Sequence, residues 1–227
     1  MLYVVPTPIG NLRDITLRAL DVLKEVDLIL CEDTRQTQKL LDAHAIKKQL
    51  LSFHDHTSPE KLTRIAEDLA AGKKMALVSD GGMPVISDPG FPLVREALRR
   101  KVGVEALPGP SAVVTALAAS GLPAESFSFF AFLPPKSAAR RKKLAGLAER
   151  EETLIFYESP FRLLSTLGDM KEVLGDREAV VARELTKKFE EYARGVLSGL
   201  IDQFSKKKVL GEIVILVSGH GRKKVFS

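Results

Sequence analysis

Short apolar runs alternate with helical patterns along almost all of this 227-residue chain, and that alternation narrows the fold more than any other feature. "LYVVP" at 2–6 reads as a buried strand, and "TLRALDVLKEV" at 16–26 spaces Leu17, Leu20, Leu23 and Val26 as one helix face behind a Thr16 cap. "DLILCE" (27–32) is a second strand and "TRQTQKLLDAH" (34–44) a helix. The next helix opens on Ser58 with Pro59 at its first position and stops at Gly72. A strand at 75–79, a glycine-rich loop, a helix near 90–100 and a strand near 104–107 complete this half. Strand followed by helix, repeated, makes a mostly parallel sheet with helices on both faces.

Beyond "LPGPSA" (107–112) the grammar changes. Strands are expected at 127–133, 153–159, 178–184, 188–195 and 212–219, with helices at 137–149, 160–174 and 197–206. No helix separates 178–184 from 188–195, so those two should pair antiparallel in a mixed sheet. The expectation is two α/β domains, 1–109 with the glycine-rich loop and 110–227, and a cleft between them.

Composition removes several classes. Apolar content of 45% and charged content of 28% suit a soluble globular chain. The weakly charged stretch 107–135 is interrupted by prolines 108, 110, 123 and 134, which argues against a membrane span, and the N-terminus lacks the basic start of a signal peptide. A single cysteine, Cys31, fits a reducing cytoplasm. There is no G-x-x-x-x-G-K-[ST], no G-x-G-x-x-G and no G-x-S-x-G, so the familiar nucleotide and hydrolase motifs are missing. "FHDHT" (53–57) is too poor in further ligands to make a zinc site, and no metal is expected. The net charge is +5, and no acid occurs from Ser126 to Ala148, where Lys136, Arg140, Arg141, Lys142 and Lys143 fall. Further basic clusters stand at 187–188, 206–208 and 222–224. Such stretches suit either a solvated face or a polyanion.

What remains is a set of turns at strand ends: "PTPIGN" (6–11), "SDGGMPVISDPG" (79–90), "PGPSA" (108–112), "YESP" (157–160), "RELTK" (183–187) and "GEIV" (211–214). Ligands of open α/β sheets bind beyond the carboxyl ends of strands. In the second turn, S-D-G-G-M-P is echoed eight residues later by S-D-P-G-F-P. Glycines there let the backbone turn sharply and let a ligand approach the main chain.

Together, "VVPTPIGNLRDITLRAL", "CEDTR", "FHDH", "VSDGGMPVISDPGF", "LPGPSA", "FYESPFRL", "ARELTK" and "GEIV" resemble the ribosomal RNA branch of the tetrapyrrole methylase superfamily, in order, from residue 2 to about 218. The resemblance implies a two-domain α/β methyltransferase that holds S-adenosyl-L-methionine in a cofactor cleft between its domains, acts at the 2′-oxygen of a cytidine ribose in the decoding region of 16S ribosomal RNA, and forms a homodimer. It implies cofactor contacts from Pro8, Gly10, Asp80, Gly81, Gly82, Met83, Ile86, Ser87, Ser111, Ala112, Tyr157, Leu185, Gly211 and Glu212. Glu158 and Lys187, beside those turns, are the expected catalytic groups, and Arg13, Arg35, Lys136, Arg140, Arg141 and Lys143 the expected RNA contacts. Asn11, Asp14, Glu32, Asp33, His54 and Glu184 also stand near the expected mouth, although "CEDTR" could simply cap a helix and pair its charges.

Two departures from the family pattern bear on this. The loop commonly reads S-D-A-G-T-P, and Met83 replaces the threonine, removing a hydroxyl whose hydrogen bond would contribute about 1 kcal/mol. Many relatives also carry a further C-terminal segment, whereas this chain reaches "GHGRKKVFS". Two other readings stay open: a methyltransferase acting on a small tetrapyrrole, and a ribosome-binding factor without catalysis.

Overall fold

The computed structural model describes residues 1–222, 225 and 226. Contacts divide the chain into two units, Met1–Ser111 and Ala112–Ser227. Unit 1 runs β1 (Leu2–Val4), a 3-10 turn (Leu12–Asp14), α1 (Leu17–Glu25), β2 (Leu28–Cys31), α2 (Thr34–Ala43), β3 (Leu50–Ser52), α3 (Pro59–Ala70), β4 (Met75–Leu77), α4 (Phe91–Arg99) and β5 (Val104–Ala106). Its five strands are all parallel, in the order β3-β2-β4-β1-β5.

The helices start where local chemistry satisfies their first N–H groups. Thr16 accepts from Ala19 N at 3.0 Å, Asp33 from Arg35 N at 2.8 Å and Ser58 from Lys61 N at 3.3 Å. Alternation along the strands then divides the core. Ile29, Cys31, Ala76 and Val78 pack with Ala19, Leu23, Leu40 and Leu41 of α1 and α2. Leu30, Met75 and Leu77 pack with Ile65, Leu69, Leu93 and Ala97 of α3 and α4. Neighbouring strands β1 and β4 therefore send their chains to opposite faces, β1 to α1 and β4 to α4. That divergence is a topological switch point, where an open α/β sheet leaves a crevice.

Unit 2 contains α5 (Ala112–Ser120), β6 (Phe127–Phe132), α6 (Ser137–Ala145), β7 (Thr153–Glu158), α7 (Leu163–Leu174), β8 (Glu178–Arg183), β9 (Glu191–Val196), α8 (Leu197–Ser205) and β10 (Ile213–Val217). The sheet order is β6-β7-β10-β8-β9, with β6 and β7 parallel and the other pairs antiparallel. The antiparallel hairpin expected from the missing helix is β8–β9. Its second strand begins at Glu191 rather than 188, because the chain after β8 turns with Glu184 and Thr186 at positive φ. Leu144, Phe156, Leu163, Leu167, Val181, Leu200 and Phe204 form the core beneath α6, α7 and α8.

Two elements escaped the sequence reading. Helix α5, "AVVTALAAS", is apolar nearly all round and shows no amphipathic stripe. It packs on β8 and β10, and Arg194 caps its end by donating to the Ser120 and Ala119 carbonyls. Strand β3 is a three-residue edge strand, too short to show alternation. Among the described residues, no helix is long and apolar enough to cross a membrane.

Candidate cofactor and catalytic site

In unit 1 the chains leaving β1 and β4 are bonded to each other. Thr7 N donates to Gly82 O at 3.0 Å and Gly82 N to Thr7 O at 2.8 Å. The Thr7 hydroxyl donates to Ser79 O at 2.9 Å and the Ser79 hydroxyl to Gly82 O at 3.1 Å. A Cβ on Gly81 would lie 3.3 Å from the Pro8 carbonyl oxygen, so glycine lets these segments approach. Beyond this clasp, Val85 (φ 75), Ser87 (φ 63) and Gly90 (φ 137) are all left-handed. A β-branched residue in that region costs roughly 1–3 kcal/mol and persists only where its surroundings dictate it.

This geometry corrects one expectation. The Gly82 backbone is buried and both its polar groups are taken up by Thr7, so Gly82 fastens the loop rather than offering its main chain to a ligand. Pro8 is buried as well, while Gly10, Asp80, Gly81, Ile86 and Ser87 are open and Met83 is half-buried.

Around the loop the carboxylates gather. Burial, followed by Glu32, pushes the Asp88 carboxyl up to about 6 against the Ser79 hydroxyl, with Asp80 and Asp55 adding to the push. Burial likewise raises Glu32, assisted by Asp80 and Asp55 and opposed by His54. Asp80 accepts from Asp33 N at 3.2 Å, at the start of α2. None of the ion pairs among the described residues includes Glu32, Asp55, Asp80 or Asp88. His54 beside them has a buried Nδ1 without a hydrogen-bond partner. These are the features of a site for a cationic ligand with hydrogen-bonding groups. Asp88 was not among the residues expected, although the repeated Ser-Asp pair at 87–88 was the signal for it.

"CEDTR" does cap and pair. The Asp33 carboxylate holds the Arg35 guanidinium at 2.7 and 3.0 Å, and that hydrogen bonding brings its pKa down to about 2. Arg35 remains exposed, as does Arg13, whose N–H bonds Asn11 Oδ1 at 3.1 Å.

In unit 2, β10 runs against both β7 and β8, which brings its first residues beside the last residues of those strands. Lys187 donates to Glu184 Oε1 at 3.0 Å and to Glu212 Oε2 at 2.9 Å. Burial opposes its charge, but the two carboxylates outweigh burial and raise its pKa, so Lys187 is an ammonium donor and not a base. Glu184 (φ 52) also accepts from Glu212 N at 3.1 Å. A Cβ on Gly211 (φ 88) would overlap the Glu184 carboxylate, so only glycine lets this group close. Leu185 is buried, Tyr157 is half-buried against Phe129 and Phe132, and Ser111 and Ala112 lead into α5.

Glu158 departs from its expected role. Its side chain is sealed and held by Arg162 at 2.6 Å, the Thr166 hydroxyl at 2.5 Å and Ser159 N at 2.7 Å. A carboxylate so occupied anchors β7 to α7 and has no open oxygen for a substrate proton. Arg140 is also corrected: it is 2% exposed, with its guanidinium on Asp169 at 2.6 Å and on the Pro135 carbonyl at 3.3 Å. A buried guanidinium cannot reach a phosphate. Arg141 pairs with Glu172 at 2.5 Å, whereas Lys136, Lys142 and Lys143 stay exposed. Of the basic cluster 222–224, residues 223 and 224 lie outside the described residues.

Known proteins match along nearly the full length. A family model for tetrapyrrole (corrin/porphyrin) methylases matches residues 1–201. The ribosomal RNA small subunit methyltransferase I of Thermotoga maritima is 52% identical over 218 residues, which cover 96% of this chain and 98% of that protein. The protein of the same name from Bacillus subtilis is 47% identical over 225 residues, covering 99% of this chain and 77% of its own. Solved structures of diphthine synthase (TM-score 0.73, 16% identity, 96% of this chain and 89% of that one) and the methyltransferase CobJ (TM-score 0.72, 18% identity, 99% and 96%) share the fold. The chain belongs to the tetrapyrrole methylase family, and within it to the group of the ribosomal RNA small subunit methyltransferase I proteins.

Proposed function

We propose that this protein methylates small-subunit ribosomal RNA, transferring the methyl group of S-adenosylmethionine to the 2′-oxygen of a cytidine ribose in the decoding region. The observation that carries the reading is identity of about half the residues, over nearly the whole chain, to proteins named for that RNA. The cofactor is compatible with unit 1. Its sulfonium and ammonium groups are cations, and Glu32, Asp55, Asp80 and Asp88 enter none of the ion pairs among the described residues, beside a His54 whose Nδ1 has no hydrogen-bond partner. We assign Asp80, Gly81, Met83, Ile86 and Ser87 to its binding.

Held by Asp80, Gly81, Met83, Ile86 and Ser87, the cofactor would supply an electrophilic methyl carbon to the ribose oxygen, with the thioether sulfur as leaving group. The chain must align these atoms, and a fixed loop does so without reordering at each turnover. A ribose hydroxyl is a poor nucleophile and gives up its proton to solvent water as the methyl group is taken on, so the negative charge that its oxygen acquires needs a donor. Lys187 is that donor in our reading, held as an ammonium by Glu184 and Glu212, with the Glu212 side chain 81% exposed. Exposed lysines at 136 and 143 meet phosphates, which give affinity without sequence choice. We also infer a homodimer and a cytoplasmic setting, as the family pattern implies.

The test is transfer of labelled methyl to small subunits lacking the modification, with naked RNA in parallel. We expect label at one cytidine, with the adjoining bond resistant to alkali because its 2′-hydroxyl is blocked. Label in an alkali-sensitive position would overturn ribose methylation, and absence of label on both substrates would overturn the RNA reading. Lys187→Met should lower kcat about a hundredfold with cofactor affinity unchanged.

A further inference from the structure

Where β6 and β7 end, two phenyl rings stand in solvent: Phe132 is 57% and Phe161 90% exposed. Scattered exposed apolar residues need no explanation, but these two are presented by specific backbone. The β6–β7 register runs Phe127↔Thr153 to Phe129↔Ile155 and then shifts, so that Phe132 is opposite Tyr157. The extra residue is accommodated by Ala131 in the left-handed region (φ 51). Strict alternation would send Phe132 to the side of Phe130, which packs into the core under α6 and α7. The bulge instead turns it to the side of Phe129 and Tyr157, with its ring edge-on to Tyr157 at 5.7 Å. Bulges commonly re-aim a side chain in this way.

Phe161 lies in the turn after β7. The next residue, Arg162, donates to the Leu133 carbonyl at 3.3 Å and to Glu158 at 2.6 Å, which ties this turn to the chain just past Phe132. The carboxylates of Glu158 and Asp169 are enclosed, one bound by Arg162 and the other by Arg140 and Arg141, while Lys136, in the turn between Phe132 and α6, remains exposed. Lys143 lies over the Phe130 ring, on the other side of the sheet.

Fixed aromatic rings beside an exposed lysine are what single-stranded RNA requires, since each base offers a stacking face and each phosphate a charge. We propose that Phe132 and Phe161 form a stacking platform for unpaired bases of the RNA substrate, with Lys136 on an adjoining phosphate. The proposal rests on the reading of the protein as an RNA methyltransferase and adds where the strand is gripped.

Phe132→Ala and Phe161→Ala should each raise KM for small subunits about tenfold, with kcat within about twofold and cofactor affinity by calorimetry unchanged. Phe161→Tyr should restore KM and Phe161→Leu should not, because leucine keeps apolar area and loses the π face. Affinity for a labelled single-stranded oligonucleotide should fall while the slope of log K against log salt stays constant, as no ionic contact is removed. An unchanged KM, or leucine serving as well as tyrosine, would overturn the platform. So would conversion of a dimer to monomers by Phe161→Ala in sedimentation, which would make the patch a contact between copies of this chain. Methylation by wild type with unaltered variants defeats the platform alone. Oligonucleotide binding that depends on the rings, in a protein that methylates no RNA, defeats the functional reading alone.

Discussion

The carboxyl ends of the two sheets are built alike and charged differently. Each has a turn with two non-glycine residues at positive φ, Val85 and Ser87 after β4, Glu184 and Thr186 after β8. Each needs a glycine for close approach, Gly81 against Pro8 and Gly211 against Glu184. In unit 2, however, the carboxylates are paired: Glu158 with Arg162, Glu184 and Glu212 with Lys187, Glu191 with Arg183 and Lys207. In unit 1, Glu32 and Asp88 are raised by burial and by other acids. Groups perturbed in this way mark the unpaired end as the candidate binding end, in keeping with the function proposed above, while the paired end is held by its own ion pairs.

The largest expected effect is on the paired end. Glu158→Ala empties a sealed position, takes the partner from the half-buried Arg162 and the buried Thr166 hydroxyl, and should cost about 3 kcal/mol in denaturant unfolding. A loss below about 1 kcal/mol would mean that Glu158 is held loosely and would return it to the candidates for catalysis. Next comes the clasp of the open end. Gly82→Val places a β-branched residue at φ 95 beside Ile9 and strains the Thr7 pairing, for a loss of about 2 kcal/mol. Cofactor affinity should fall with it, because the clasp sets the loop. Normal affinity in calorimetry would detach the loop from the site.

The smallest effect concerns Asp88. Its folded pKa of about 6 exceeds the 3.8 of an ordinary aspartate, so the native state holds its proton more tightly than the unfolded chain. Stability from this group is therefore lost as pH rises between those values, and the cost is complete above about pH 7. Asp88→Asn should be more stable than wild type at pH 8, by about 1 kcal/mol after solvent screening at this partly buried site, and equal to it near pH 3.5. Equal stability at pH 8 would show the acids of unit 1 to be as relaxed as those of unit 2, and the comparison would collapse.

Much of the fold was legible because its signals are local. Thr16, Asp33 and Ser58 announce helix starts within three residues of themselves, and apolar runs mark the strands. Helix α5 was not legible, since a helix wrapped in apolar side chains has no stripe to detect. For the candidate site, the turns were visible from glycine, proline and Ser-Asp pairs, but the roles within them were not. Arg140 stood in a basic run like its neighbours, and only its bond to Asp169, 29 positions away, removes it from the surface.

The sequence by itself determined the order of the strands and helices other than β3 and α5, the turns of the candidate site and membership of the family, because spacing, caps and motifs are written in neighbouring residues. Tertiary structure alone decided which carboxylates find a cation, which guanidinium is buried and which way Phe132 points. Those outcomes depend on pairs of residues far apart in the chain and on a one-residue shift between β6 and β7, and pairing and register exist only once the sheet has formed.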